Sequence, residues 1–517
     1  MFSNGNSKAV WILAGLSIFL LFPGLGKPQL WIYDEVRNAE CAREMFERND
    51  WIVPTFNGEL RTLKPPLHYY FMFAGFKLFG ITEWGARFFS AVFGVLTILV
   101  TYFFTKRFSN ARHAFITCLV LLASTHFLFQ FRMSVPDPYL IFLNTLSIYT
   151  AYAYFTEKKF HWLLICAVSL GLGTLAKGPV SILLPGAAVF LWLILDGKFR
   201  QLFSWKILIA GIILLAVAVP WYLIVHKETN GEWTKGFFLE HNVGRFSSPM
   251  EGHGGLFIIV PLFVLVGLLP FSVFIAESLK SFRSRFSNSF LKLCLCVMAV
   301  FIVFYSISGT KLPNYPMPCY PFVATILGFF ISQWIDKTRV KLYPLIILLI
   351  INLGLTVAAY FGIRNEVELR GYENLSAVLL ILILAAIVGI YFTRNNQFRK
   401  AVLSLFSIYT IFNFFFLNWL YPELYKNNPM SKTIDTVRQY DNVVAYKIFH
   451  PSFTYYLPKT VKVFESSDSL KMYLQNNKAM VISRSEFKQE LKNLGLKEEE
   501  EHHDLFELST TLLMNNK

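Results

Sequence analysis

Charge is scarce in this chain. Of 517 residues, 16% are Asp, Glu, Lys or Arg, while 55% are hydrophobic and 17% aromatic, and the mean hydropathy is +0.47. Soluble domains carry about 25% charged residues, so a soluble globular fold is excluded. Cysteine is scarce too. The six (Cys41, Cys118, Cys166, Cys294, Cys296 and Cys319) show no metal or redox spacing, which argues against a thiolate metal centre or a dithiol motif. Cys41 and Cys319 fall on the oxidising side in the topology below, but nothing in the sequence pairs them. No glycine-rich mononucleotide loop occurs, so a nucleotide donor is unsupported. Internal repeats and long low-complexity segments are lacking. The first apolar run has no small-residue cleavage site and reads as an uncleaved helix.

What is present is a succession of long apolar runs. Thirteen candidate spans cover 10–26, 85–105, 113–130, 137–155, 160–176, 179–195, 206–225, 255–276, 290–308, 317–335, 342–362, 375–392 and 401–420. Runs of this length suit membrane-spanning helices. The shorter run 67–80 follows Pro65-Pro66 and reads as a re-entrant or interfacial helix, or else as one extra span. The net charge of +15 would suggest nucleic acid in a soluble chain. Here the basic residues sit in short alternate loops, where they set topology and meet anionic lipid. These are Lys106, Arg107 and Arg112; Lys158 and Lys159; Lys198, Arg200 and Lys206; Lys280, Arg283, Arg285 and Lys292; Lys337, Arg339 and Lys341; and Arg394, Arg399 and Lys400. No nucleic-acid partner is expected. With the N-terminus inside, 27–84, 227–254, 309–316, 363–374 and the tail lie outside.

The expected fold is an all-α polytopic membrane protein of about thirteen transmembrane helices with a small C-terminal soluble α/β domain. The membrane domain covers 1–424, including the outer loop 27–84, and the soluble domain covers 425–517. In the tail, Val443–Phe449, Thr460–Phe464 and Ala479–Ser483 read as strands. Ser469–Asn476 and Ser485–Leu494 read as helices. The acidic run Glu498–Glu501 with His502-His503 reads as a solvated face rather than a metal site.

Chemistry-bearing residues gather on the outer side. Asp34-Glu35 opens an amphipathic run with Val36, Ala39, Ala42 and Phe46 at helical spacing. Carboxylates there favour a helix N-terminus, and one of them can also act as a general base. Lys64 precedes Pro65-Pro66, whose rings stop a helix running back through it. An interfacial lysine snorkels or holds a phosphate. Asp137, in Val135-Pro136-Asp137-Pro138, and Lys177, in Ala176-Lys177-Gly178-Pro179, stand at outer span ends, where N-capping and snorkelling compete with function. The loop 227–254 carries Glu240-His241-Asn242-Val243-Gly244-Arg245-Phe246, whose Arg245 can grip phosphate oxygens in pairs, followed by Gly252-His253-Gly254-Gly255. No two-histidine helical spacing makes His241 or His253 a metal ligand. In Ser308–Pro316, prolines hold the backbone non-helical beside the membrane, and Lys311 and Tyr315 can donate to a phosphate. One topology places Asp34, Glu35, Lys64, Asp137, Lys177, Arg245, Lys311 and Tyr315 on one face. That set suits a lipid phosphate as leaving group with a carboxylate to activate the nucleophile.

Tyr33-Asp34-Glu35, Ala42-Arg43-Glu44-Met45, Asp50–Pro54 and Lys64-Pro65-Pro66 resemble the aminoarabinose transferase and protein O-mannosyltransferase group of the glycosyltransferase C superfamily. Glu240-His241, Arg245-Phe246 and Lys311–Pro318 resemble its bacterial branch. The likeness covers residues 10 to about 330. It implies a glycosyltransferase C-type fold in a bacterial cytoplasmic membrane, with the active site and C-terminal domain facing the periplasm. It implies a polyprenyl (undecaprenyl) phosphate sugar donor, Asp34 as the leading catalytic carboxylate, and Lys64, Arg245 and Tyr315 around the lipid phosphate. Leu63 stands where the aminoarabinose transferases often carry an acid, which argues against a bound metal and against aminoarabinose as the sugar. No cofactor is predicted. The expected activity is inverting transfer of a hexosyl or pentosyl unit to lipid A, another glycan or protein. Asp34 takes the acceptor proton, Glu35 or Asp137 orients, and Lys64, Lys177, Arg245, Lys311 and Tyr315 hold the phosphate. A transporter or flippase of lipid-linked sugar is the alternative, though no matched halves with broken helices appear.

Overall fold

Backbone in hydrocarbon must satisfy its own hydrogen bonds, so the apolar runs fold as helices. The computed structural model describes residues 6–244, 246, 254–282, 287–337, 340–457 and 459–516. The first ten helices used below are α1 (Asn6–Leu21), α2 (Tyr33–Glu47), α3 (Leu67–Phe79), α4 (Glu83–Phe108), α5 (Ala111–Ala123), α6 (Thr125–Gln130), α7 (Asp137–Glu157), α8 (Phe160–Lys177), α9 (Val180–Leu195) and α10 (Trp205–Glu228). Each of the thirteen apolar runs holds helix. Among the described residues, however, seven helices are long and apolar enough to cross a membrane, or eight if the bent pair Ile259–Gly267 and Phe271–Phe282 is one span. Thirteen spans are not confirmed.

The shortfall has local causes. α1, α5 and α9 are apolar but short. The run 113–130 breaks at Ser124, whose hydroxyl accepts from Phe127 N at 3.0 Å to start α6. The run 255–276 bends by 115° between its two helices. α7 is rich in Tyr and Thr, and Tyr320–Trp334 has only 15 residues. The 67–80 run forms the 13-residue α3. α3 lies tight against α4: a Cβ on Gly75 would sit 2.0 Å from the Gly85 carbonyl.

The first outer loop is ordered by its own sequence. α2 buries Val36, Ala39 and Ala42. β1 (Thr55–Phe56) and β2 (Glu59–Leu60) pair across Asn57-Gly58. Both turn residues have positive φ (54° and 81°), as a two-residue hairpin favours.

The C-terminal unit is a five-stranded sheet of order β4-β3-β5-β7-β6. Its strands are β3 (Val443–Tyr446), β4 (Lys462–Phe464), β5 (Met480–Arg484), β6 (Lys497–His503) and β7 (Thr510–Asn515). β3 runs parallel to β4 and β5, and β7 runs antiparallel to β5 and β6. Both faces are covered. Val443, Ala445, Met480, Ile482 and Leu513 pack on one side, and Val444, Tyr446, Val481, Leu512 and Met514 on the other. Such strands read as continuous apolar runs. The acidic run forms the edge strand β6, bonded to β7, and it presents Glu498, Glu499 and Glu501 to solvent, in keeping with a solvated face. Its His503 faces Glu366 at 3.2 Å, while Lys488 bridges Glu498 and Glu501. All six cysteines are buried and free, Cys41 and Cys319 included.

The sheet unit docks on the first outer loop. Trp31 stacks on His450 with ring centroids 3.6 Å apart. Asn57 and Val461 exchange two 2.8 Å hydrogen bonds. Tyr456 OH accepts from Leu30 N and donates to Glu83. Arg484 donates to the Tyr33 hydroxyl.

Candidate active site

Four segments far apart in sequence converge: the start of α2, the Lys64 turn, the facing ends of α7 and α8, and the proline-rich loop 309–316. Asp137 is the first residue of α7 and Lys177 the last of α8. Gly178 ends α8 at φ 84°, and a Cβ there would meet the Phe237 ring at 2.6 Å. The Lys177 ammonium donates to Asp137 Oδ1 at 2.6 Å and lies 4.9 Å from the centre of the Tyr315 ring. Asn314 donates to the same Asp137 oxygen at 3.0 Å. The buried Asp137 Oδ2 has no partner among the described residues. Lys64 is 7% exposed and stands 3.8 Å from Asp34, whose side chain is 46% exposed.

Two cavities meet at these cations. One, of about 630 Å³, is apolar, with Val180, Leu183, Phe238, Leu239 and Phe304 in its walls. The other, of about 560 Å³, is charged, with Tyr33, Asp34, Arg37, Arg61, Gln130 and Asn314 in its walls. Leu63, Lys64, Lys177 and Tyr315 line both and form the junction. A further apolar cavity of about 590 Å³ reaches the charged chamber from another side, through His126, Phe129 and Pro313. Tyr33, at the chamber's edge, has its phenol pushed up to about 12 by burial, against the pull of Arg484.

The family model for dolichyl-phosphate-mannose-protein mannosyltransferase matches residues 63–224. An uncharacterized protein of Aquifex aeolicus is 30% identical over 306 residues, covering 58% of this chain and 68% of that one. The undecaprenyl phosphate-alpha-4-amino-4-deoxy-L-arabinose arabinosyl transferase of Pseudomonas paraeruginosa is 29% identical over 392 residues, 73% of this chain and 70% of its own. The crystal structure of ArnT from Cupriavidus metallidurans bound to undecaprenyl phosphate superposes with a TM-score of 0.81 at 20% identity, covering 99% and 98% of the two chains.

The chain belongs to the glycosyltransferase C superfamily, in its bacterial aminoarabinose transferase and protein O-mannosyltransferase-like group.

Within this glycosyltransferase C chain, the structure brings together Asp34, Lys64, Asp137, Lys177 and Tyr315. Glu35 departs from its expected place. Its side chain is fully buried. It takes two hydrogen bonds from Arg87, at 2.7 and 2.8 Å, and two from Ser134, at 2.9 and 3.2 Å. A carboxylate satisfied on both oxygens has no role left at the cavity, so Glu35 anchors α2 to α4. Lys311 also departs. Its ammonium donates to the Ser308 carbonyl at 2.7 Å, closing the turn, and it lines neither cavity. His241 lines the apolar cavity. Arg245, Gly252, His253 and the loop arginines Arg283, Arg285 and Arg339 lie outside the described residues. Among the described residues, no three His, Cys, Asp or Glu side chains converge to hold a metal.

Sequence reasoning missed Arg61, Arg37 and Gln130 in the chamber, and Arg87 behind it. Arg87 had a signal: an arginine one turn into an apolar span needs a partner. Arg61 had a weaker one, its place three residues before Lys64.

Proposed function

We propose that this protein is an integral-membrane glycosyltransferase that moves one sugar from a polyprenyl phosphate carrier to an acceptor at the outer face of a bacterial cytoplasmic membrane. The observation that carries the reading is the junction. Lys64, Lys177 and Tyr315 stand where an apolar cavity opens into a charged chamber that holds Asp34. A lipid tail fits the apolar side, a phosphate fits the cations, and the sugar then lies in the chamber. The relatives' undecaprenyl phosphate chemistry supports the same donor.

In this mechanism Asp34 takes the proton from an acceptor hydroxyl. The freed oxygen attacks the anomeric carbon while the bond from that carbon to the phosphate oxygen breaks. Lys64 and Lys177 hold the charge that develops on the leaving phosphate. A single displacement inverts the anomeric centre and needs no second carboxylate at the sugar. Asp137 and Asn314 act on Lys177 and fix its ammonium beside Tyr315. Glu35 positions α2 rather than reacting. Arg245 remains a proposed phosphate ligand on its motif.

The third cavity supports a lipid acceptor, such as lipid A, that approaches opposite the donor. The sidedness rests on charge. α7 starts at the site and ends about 30 Å away, at Glu157, among the basic short loops, where Arg107 pairs with Glu157 and Lys198 with Asp196. Basic short loops stay cytoplasmic, so the site and the C-terminal sheet unit face the periplasm. The test is purified protein in liposomes with a panel of undecaprenyl-phosphate sugars and lipid A. Glycosylated lipid A, seen by mass spectrometry without net donor translocation, is expected. Net translocation without product would make the protein a flippase and overturn the reading.

A further inference from the structure

Arg61 is a buried cation that the proposed chemistry does not use. It is 4% exposed and sits in the wall of the charged chamber. Its backbone is held on both sides: its N–H donates to Pro54 O at 2.9 Å, and its carbonyl accepts from Trp233 Nε1 at 2.9 Å. Its guanidinium donates from Nη2 to Asn38 Oδ1 at 3.3 Å, stands beside the Tyr69 hydroxyl and the Cys41 thiol, and lies 5.9 Å from the centre of the Phe56 ring, so its neighbours are neutral. Among the described residues it has no carboxylate within ion-pair distance, and its buried Nε has no partner. Asp34 acts on it only through space. A buried guanidinium left this way is costly, so a rigidly held one marks a place where a ligand completes it.

The position of Arg61 says which part of the ligand that is. Lys64, Lys177 and Tyr315 line both cavities and take the phosphate. Arg61 lines the chamber alone, on the side of Asp34 and away from the apolar cavity. With Lys64 beside Asp34 and Lys177 on Asp137, the two carboxylates of the site already face lysines. An ammonium on the sugar beside Arg61 would meet a second cation, and each of the two carboxylates already carries a lysine.

We propose that Arg61 selects the transferred sugar. The sugar presents hydrogen-bond-accepting oxygens to this guanidinium, as a carboxylate or as adjacent hydroxyls, and carries no positive charge there. This rests on the donor reading above and adds the chemical class of the sugar.

The test is displacement of a fluorescent polyprenyl phosphate from the purified, full-length protein. The competitors are undecaprenyl-phosphate glucuronate, undecaprenyl-phosphate glucose, undecaprenyl-phosphate 4-amino-4-deoxyarabinose and bare undecaprenyl phosphate. The first two are expected to bind roughly tenfold or more tighter than the amino sugar, as a charge-assisted hydrogen bond allows. The uronate and glucose arms separate carboxylate from hydroxyl recognition. Arg61→Met is expected to remove the preference and leave bare undecaprenyl phosphate within about twofold. Arg61→Lys keeps the charge and retains part of the preference, which guards against a folding defect in the first variant. Equal or tighter binding of the amino sugar overturns the proposal. So does an Arg61→Met variant that loses bare undecaprenyl phosphate to the same extent, because Arg61 would then be a phosphate ligand. Failure of every polyprenyl phosphate to bind would refute the donor reading itself, and this proposal with it.

Discussion

The adjacent carboxylates Asp34 and Glu35 offer a sharp test, because the proposed mechanism gives them opposite roles. Asp34→Asn removes a half-exposed carboxylate 3.8 Å from Lys64. The pair is too long for a hydrogen bond and open to solvent on the Asp34 side, so it is worth about 1 kcal/mol and the melting temperature should move little. If Asp34 is the general base, transfer should fall by roughly 10²–10⁴-fold, equivalent to about 3–5 kcal/mol in the barrier. Glu35→Gln removes a fully buried charge that takes two hydrogen bonds from Arg87 and two from Ser134. It leaves the buried Arg87 guanidinium without a counter-charge, with the Leu25 and Pro28 carbonyls and one amide oxygen as acceptors. Breaking a buried pair from one side costs about 3–5 kcal/mol. The Gln variant should therefore melt well below wild type, yet transfer nearly normally per folded molecule. Thermal melts in detergent, paired with donor turnover, separate the two. A Glu35→Gln protein of wild-type stability that has lost transfer would refute the anchoring role. An Asp34→Asn protein that transfers normally would refute the base assignment.

Three further outcomes are expected. Asp137→Asn and Lys177→Met should each destabilise by about 3–5 kcal/mol. The double variant should melt higher than either but should not regain undecaprenyl phosphate binding, measured by ligand-induced thermal shift. Gly267→Ala should close the third cavity, because its Cβ would lie 1.8 Å from the Tyr320 oxygen and 2.8 Å from His126 Nδ1. A cost of roughly 1–3 kcal/mol, with lost acceptor use at unchanged donor binding, is the signature. Glu507 is pushed up to about 7 by burial and by Asp504, against the pull of Arg484. An acid whose folded value is raised binds its proton more tightly when folded. Its contribution is therefore present below the unfolded value near 4.5 and is lost as pH rises towards 7. Glu507→Gln should raise the melting temperature at pH 8 and leave it unchanged at pH 4, read by calorimetry.

Some of this protein was written locally. Apolar runs, basic short loops and the Lys64-Pro65-Pro66 turn are contiguous features, and each reports a nearest-neighbour constraint: hydrocarbon length, loop charge or backbone geometry. They sufficed for the helical character, the α2 amphipathic face and three of the tail strands. Other features depend on what lies opposite. β6 reads as a charged run because only its pairing with β7 makes Lys497–His503 a strand. Glu35 and Asp34 are neighbours in sequence, but a helix turns successive side chains about 100° apart. One therefore meets Arg87 from α4 while the other faces the cavity. By residue type Lys311 ranks with Lys177, yet a turn of its own loop holds it at Ser308. Composition and local pattern thus determined that the chain is a membrane protein with charge gathered at one set of helix ends. Which charges face one another across the chamber was decided only by packing, since the segments that supply them lie up to about 280 residues apart and no short-range rule sets their distance.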